Sequence, residues 1–218
     1  MRLFHTPARR SALIGIALAA ALAAIAIPMS AGASGPNVTR FQLYVNPAVR
    51  NCVQDPNSSQ LPTVEATVKR GDLNDSLDLQ LEHFKPHLAF DLFTVEKSNQ
   101  TANGTVINPF PNFGLAWYQS DIQVDRNGRD HVHIRTILLD QIFGFDPAVG
   151  LGPTNTFHLG FWFNNPADAD NCVHSVTPFN GEHTAGPLAF ITRPNANTQL
   201  GPLCVNPDTS HVPATCNP

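Results

Sequence analysis

No signature of a familiar catalytic apparatus occurs in these 218 residues: G-x-S-x-G, H-E-x-x-H and S-x-x-K are all absent. Those patterns place a nucleophile on a strained turn, a zinc-binding pair on one helix face, or a lysine beside a serine, so several common hydrolytic mechanisms lack an anchor here. The four cysteines include no C-x-x-C pair, which argues against thiol redox chemistry and zinc-knuckle ligation. Positive charge is scarce, at thirteen Lys and Arg against seventeen Asp and Glu, and it forms no basic stripe of the sort nucleic acid requires. Beyond residue 33 no segment sustains a long helical period, and seventeen prolines and twelve glycines interrupt the chain there.

The one long apolar run is Leu13 to Ile27, fifteen residues, short of the ~20 needed to span a bilayer. Arg2, Arg9 and Arg10 precede it with no acidic residue, and Ala31-Gly32-Ala33 follows as an A-x-A cleavage pattern. This arrangement predicts a secretory signal peptide over residues 1–33 and a mature chain over 34–218. The first 33 residues hold three basic residues and no acid, so the mature net charge is about −7 with neutral histidines. The C-terminal TSHVPATCNP is polar and Pro-rich, so no membrane anchor is expected in the mature form. The predicted location is extracellular.

Cysteine use agrees with export. Cys52, Cys172, Cys204 and Cys216 all survive cleavage, and an even count in an oxidising compartment predicts two disulfides. Four cysteines allow three pairings. The preferred one is Cys172–Cys204 with Cys52–Cys216, tying loops and both ends to the body.

Alternation of period two dominates the mature chain. Leu77, Leu79 and Leu81 alternate with Asp78, Gln80 and Glu82; Phe41, Leu43 and Val45 with Gln42; Val64, Ala66 and Val68 with Glu65 and Thr67. Phe157, Leu159, Phe161 and Phe163 alternate with His158, Gly160 and Trp162. Short strands separated by turn residues predict a single all-β domain, an antiparallel sandwich of Ig-like or jelly-roll type with long loops. Helix is expected only in short turns, around Asp140–Phe145 or Pro166–Asp170. Asp125-Arg126-Asn127-Gly128-Arg129-Asp130 between two alternating runs predicts a type I′ hairpin turn, with a calcium loop as the competing expectation. The stretches 97–113 and 144–155 carry little pattern, and unpatterned loops of that length are usually functional or flexible. Sequons stand at Asn37, Asn57, Asn99 and Asn103.

Histidine gives the main hint of chemistry. His131-Val132-His133 puts two imidazoles on one strand face with Arg135, where they can share a copper or zinc ion if His158, His183, His87 or a nearby Asp supplies a third ligand. The plainer expectation is a solvated strand face, which any half-buried strand presents, and Arg135 opposes a cation. Otherwise no cofactor is expected. Glu182 and His183 are adjacent in a Gly-flanked segment and could form a general-base couple. A packed loop is the stronger expectation there. Trp117, Tyr118 and Trp162 lie in predicted strands and are the candidate binding aromatics, although Trp162 in a doubly buried strand would simply be core.

The stretches GLAWYQSDIQVDRNGRDHV, HLGFWFNNPADADNC and TPFNGEHTAGPLAF resemble segments of uncharacterised secreted proteins of Gram-positive and filamentous soil bacteria. The resemblance spans about residues 85–190 and implies bacterial secretion and a compact β domain, with no activity attached. The resulting expectation is a secreted, non-catalytic binding or structural module for an extracellular ligand. The alternative is a copper- or zinc-binding protein or metalloenzyme using His131 and His133.

Overall fold

A computed structural model describes residues 37–136, 138, 157–175 and 185–216, and the backbone alone of 142–143, 153–154, 177–179 and 183–184. The predicted signal peptide and most of the 144–155 loop lie outside the described residues.

The alternating segments become strands. They are β1 (Val38–Val45), β2 (Thr63–Lys69), β3 (Asp75–Glu82), β4 (Ala89–Val95), β5 (Ala116–Gln123) and β6 (Asp130–Thr136). The short pairs β7 (Ile142–Phe143) and β8 (Pro153–Thr154) follow, then β9 (His158–Phe163), β10 (Thr177–Phe179), β11 (His183–Ala185) and β12 (Leu188–Ile191). A last short pair is β13 (Pro207–Asp208) with β14 (Thr215–Cys216). Among the described residues, helix is limited to α1 (Arg50–Val53) and 3-10 turns at Pro47–Val49 and Pro166–Ala169, the last where a short turn was expected. Over Asp140–Phe145, the described residues 142–143 are strand rather than helix.

Eight strands form one antiparallel sheet in the order β5-β4-β9-β12-β1-β2-β3-β6, nearly barrel-shaped. The architecture is all-β as expected, in the form of a sheet curling on itself. Its two halves are unequally joined: β1 pairs with β2 through six residue pairs and with β12 through only Tyr44↔Ile191 and Val45↔Phe190.

The two end strands, β5 and β6, are consecutive in sequence. The turn between them has Gly128 at φ 72°, with Gly128 N–H donating to Asp125 O at 3.1 Å and Asp125 N–H to Arg129 O at 2.8 Å. A type I′ turn needs positive φ at both central residues, and Asn127 does not have it. The chain turns where expected, but no ladder follows. Across the seam the contacts are made by side chains, Gln123 N–H to an Asp130 carboxylate oxygen at 2.9 Å and Thr136 Oγ1–H to Gln119 Oε1 at 2.6 Å. A Cβ at Gly128 would run into the carbonyl oxygen of Phe84, so this position excludes side chains.

The interior follows from the alternation. Leu77, Leu79 and Leu81 point inward from β3, and Val64, Ala66 and Val68 from β2, each at most 1% exposed. They meet Phe84, Phe90, Phe161, Phe163 and Phe190, whose rings pack at 4.9–6.4 Å, with Phe161 and Phe190 stacked at 20°. Strand β9 is buried on both faces. Its second face joins Phe93, Val95, Leu188 and Ile191 in a smaller apolar cluster that includes Trp162, with Phe113 of the 97–113 loop packed against it.

All four cysteines are bonded, as Cys52–Cys172 and Cys204–Cys216. This corrects the expected Cys172–Cys204 and Cys52–Cys216 pairing. Cys52 sits in α1, and the turn at Pro166–Ala169 delivers Cys172 to it through Cys172 N–H bonding Ala169 O at 2.8 Å. The pairing of Pro207 with Cys216 folds the C-terminal stretch back toward Cys204. Among the described residues no helix is long and apolar enough to cross a membrane.

Candidate functional site

His131 and His133 do share the outward face of β6, since β6 pairs with β3 in the register Gln80↔His131 and Asp78↔His133. That register brings in Asp78. Its Oδ1 lies 2.8 Å from Nδ1 of His133 and 3.3 Å from Nε2 of His131. The hydrogen bond from His133 is the main reason the Asp78 carboxyl is held below its ordinary range, against some opposing desolvation. The three side chains are 37–59% exposed, so the trio stands on a wet sheet face. A shared cation would need the three donor atoms arrayed around an empty centre. Here one oxygen of Asp78 is itself the centre.

The other candidate ligands go elsewhere. His158 is buried on β9. His87 is exposed, at φ 65°, with its N–H bonded to Val124 O at 3.2 Å. His183 begins β11 opposite Phe179, and its side chain, like Glu182, lies outside the described residues. Among the described residues no three His, Cys, Asp or Glu side chains are grouped to hold a metal ion. In the Asp125–Asp130 turn, both carboxylates serve N–H donors. Asp125 Oδ1 accepts from Asn127 N at 2.8 Å and Arg129 N at 2.9 Å; Asp130 accepts from Gln123 N at 2.9 Å and His131 N at 2.8 Å. These bonds account for the turn without calcium.

The three candidate aromatics separate. Trp162 is 6% exposed, wedged edge-on between Phe93 at 5.5 Å and Phe113 at 5.1 Å, which makes it core. Trp117 and Tyr118 are 39% and 49% exposed on β5. Tyr118 packs on Phe93 at 5.7 Å and donates its hydroxyl to Asp121 at 2.7 Å. Desolvation, with that bond and the Asp121 charge behind it, pushes the phenol up to about 12.

A site absent from the sequence expectations lies beneath the 97–113 loop. This loop is pinned to the body. The Arg193 guanidinium stacks 3.8 Å over the Tyr44 ring and donates from Nε to Gln100 Oε1 at 2.9 Å, while Gln100 Nε2 donates to Val45 O at 3.2 Å. Phe113 anchors the far arm on Trp162. Between the loop, the start of β9 and the segment after β12 is a pocket of about 310 Å³, lined by residues that include Ser98, Thr101, Ile107, Phe110, His158 and Gln199.

His158 is part of its lining and is only 3% exposed. Its Nδ1 lies 2.9 Å from Thr192 Oγ1, which also accepts the Leu159 N–H at 3.2 Å. Burial drives the imidazole down to about 4, with a hydrogen bond to the Thr192 backbone opposing the shift, so the ring is neutral at ordinary pH. Gly201 makes room for it: a Cβ there would clash with Phe157 O and stand 2.9 Å from Cδ2 of His158. At the rim, Gln199 is held at φ 62°, a conformation rare outside glycine, by its N–H to Asn195 O at 2.9 Å and its side-chain amide to Ala196 O at 2.8 Å.

A larger cleft of about 420 Å³ runs along the β2–β3 hairpin. Its most buried cation, Arg70, is already spent on Asp75 and on the carbonyls of Leu138 and Leu203. The smaller pocket is therefore the better site, since it sets the buried His158 imidazole against apolar walls of Ile107, Phe110, Pro111 and Pro194. Comparison of the chain with family models, with curated proteins and with solved structures finds no match in any of the three.

Proposed function

We propose that the mature chain, residues 34–218, is a secreted, non-catalytic binding module whose ligand site is the pocket beneath the 97–113 loop. We read its strands as a flattened sandwich, with leaves β1-β2-β3-β6 and β12-β9-β4-β5 joined through the short β1–β12 pairing. The observation that carries the functional reading is His158: a neutral, buried imidazole in the lining of a preformed pocket whose covering loop is already clamped. Small-molecule sites combine apolar walls with a few convergent polar groups in this way, and about 310 Å³ falls at the lower end of their size range. Two disulfides fit an oxidising compartment, and the charged, apolar and small-residue succession of residues 1–33 supports export.

The test is a screen of chemically mixed fragments by backbone and imidazole NMR. Hits should perturb Ser98, Thr101, Ile107, Phe110, His158 and Gln199 together. Absence of hits there, or hits scattered over the surface, would end this reading.

A second reading, a copper or zinc site on His131 and His133, is favoured by the nearness of Asp78 to both imidazoles. It requires Asp78 to swing off the centre of the trio.

A further inference from the structure

Resting on that reading, we infer that the pocket beneath the 97–113 loop takes a single neutral sugar residue, its apolar face against Phe110 and Pro111 and its hydroxyls shared among Ser98, His158 and Gln199. Charge is the first argument. The charged residues of the lining are Glu96 and Lys97, neighbours of opposite sign, and Glu96 is committed through Oε2 to the Leu115 N–H at 3.0 Å. The imidazole on the other side is neutral. Lys97 is exposed, and the buried polar residues of the lining, Ser98, Gln100 and His158, carry no charge. An ionic ligand drawn inside would be stripped of water with no buried counter-charge to receive it, which is costly. A neutral one is not penalised.

The polar groups also have a particular character. Ser98 Oγ accepts the Gln100 N–H at 3.1 Å, leaving its own O–H to donate. Gln199 spends its amide N–H on Ala196, leaving Oε1 to accept. Of the two ring nitrogens of His158, Nδ1 is committed to Thr192, which leaves Nε2. A donor and an acceptor lining the same pocket suit hydroxyls, which do both. Gln100, by contrast, has both ends of its amide engaged and serves only to hold the loop.

The walls supply the remaining feature. Ile107, Phe110, Pro111 and Pro194 give the cavity an apolar side, and Phe110 is fixed edge-on against Phe113 at 4.7 Å. A sugar ring has a C–H face to lay on such a surface. The volume of about 310 Å³ fits one small ring rather than a chain of them. The long loop and the strained Gln199 backbone then have a common purpose, to frame one side each of a rigid mouth.

The experiment is an NMR titration of the intact mature protein with the methyl glycosides of glucose, galactose and N-acetylglucosamine, and with glucuronate and glucosamine as charged counterparts. At least one neutral glycoside should give saturable shifts at Ser98, Phe110, His158 and Gln199, with a dissociation constant of about 1 mM for so small a ligand. Gln199→Ala should weaken it about fivefold, the usual effect of one lost hydrogen bond. Ile107→Arg, at a half-exposed position on the mouth, should abolish it while leaving the rest of the spectrum in place. Equal or tighter binding of a charged sugar, binding unaffected by both variants, or no neutral glycoside binding while fragments still occupy the pocket would overturn the sugar assignment alone. A pocket that takes neither sugars nor fragments would remove the binding-site reading as well.

Discussion

Nδ1 of His158 and Oγ1 of Thr192 lie 2.9 Å apart, and neither residue is more than 3% exposed. Burial keeps this titratable ring in its neutral form, with its bonding to Thr192 opposing the shift, and this links folding to pH. The imidazole protonates near 6.5 in the unfolded chain and at about 4 in the folded one. Between those values the unfolded state binds more protons, so stability is complete above pH ~6.5 and falls as pH drops toward ~4. By pH 5 the loss should be about 2 kcal/mol. Urea melts of the native protein and of His158→Gln at pH 7 and pH 5 check this. The variant will be weaker throughout, but the difference between its two melts should shrink. Parallel losses in both proteins would mean that His158 is not the group responsible.

The disulfides give a second prediction. A non-reduced peptide map of secreted protein should recover Cys52 with Cys172 and Cys204 with Cys216, with an N-terminus near Ser34 and no alkylatable thiol. The first bridge closes a separation of 120 residues and the second one of 12. Chain-entropy arguments give about 5 kcal/mol for the longer loop and about 3 for the shorter. Replacing Cys52 and Cys172 by Ala should therefore cost more stability than replacing Cys204 and Cys216. The opposite ranking would show that Cys52–Cys172 contributes little beyond the core packing around it.

Leu79 tests the core. It is fully buried in β3, opposite Ala66 on one side and Val132 on the other. Leu79→Asp places a carboxylate among apolar groups at a cost of several kcal/mol, against a total stability of about 5–15. The variant should fail to accumulate as folded protein. A soluble Leu79→Asp chain with an unchanged melting temperature would contradict the inward face of β3.

The His131–Asp78–His133 trio yields a fourth. On a solvated sheet face, changing both histidines to Gln should alter stability by no more than ~0.5 kcal/mol. Zinc or copper should then affect native and doubly substituted protein alike. A metal that binds only the folded state would instead add about 2.7 kcal/mol at a hundredfold excess over its dissociation constant, and the gain would vanish in the double variant. Thermal melts with metal and with chelator separate the two outcomes. The position of Asp78 leads us to expect metal-independent melts.

Strands β2 and β3 were legible in the sequence because each has one face in the core and one in water, which writes solvent exposure directly into alternation. Strand β4 was harder. All but its first residue is buried, Asp91 and Thr94 among them, so inside and outside no longer differ in polarity. The curl of the sheet was hidden for another reason. It depends on which distant strands meet, β4 with β9 and β12 with β1, and nothing local in those segments names the partner. The Asp125–Asp130 turn shows the limit well: the residues announced a reversal, yet tertiary pairing gave β5 and β6 to different neighbours. The pocket was hidden in the same way, since 96–111, 158 and 194–199 become adjacent only through topology. The two signals that did reach it were the length of the 97–113 loop and the placing of His158 on the Trp162 side of β9.

The seam between β5 and β6 also bears on self-association. A sheet with two free margins offers rows of backbone donors and acceptors to any other extended chain, and such margins seed fibrils. Here the two margins are turned toward each other and stitched by Thr136 to Gln119 and by Asp130 to the Gln123 amide. Each strand thereby stands guard over the other's exposed backbone. Opening that seam, with Thr136→Val and Gln119→Ala for instance, would leave the core intact and still expose two templates for intermolecular pairing, so the damage would surface first as precipitation on storage.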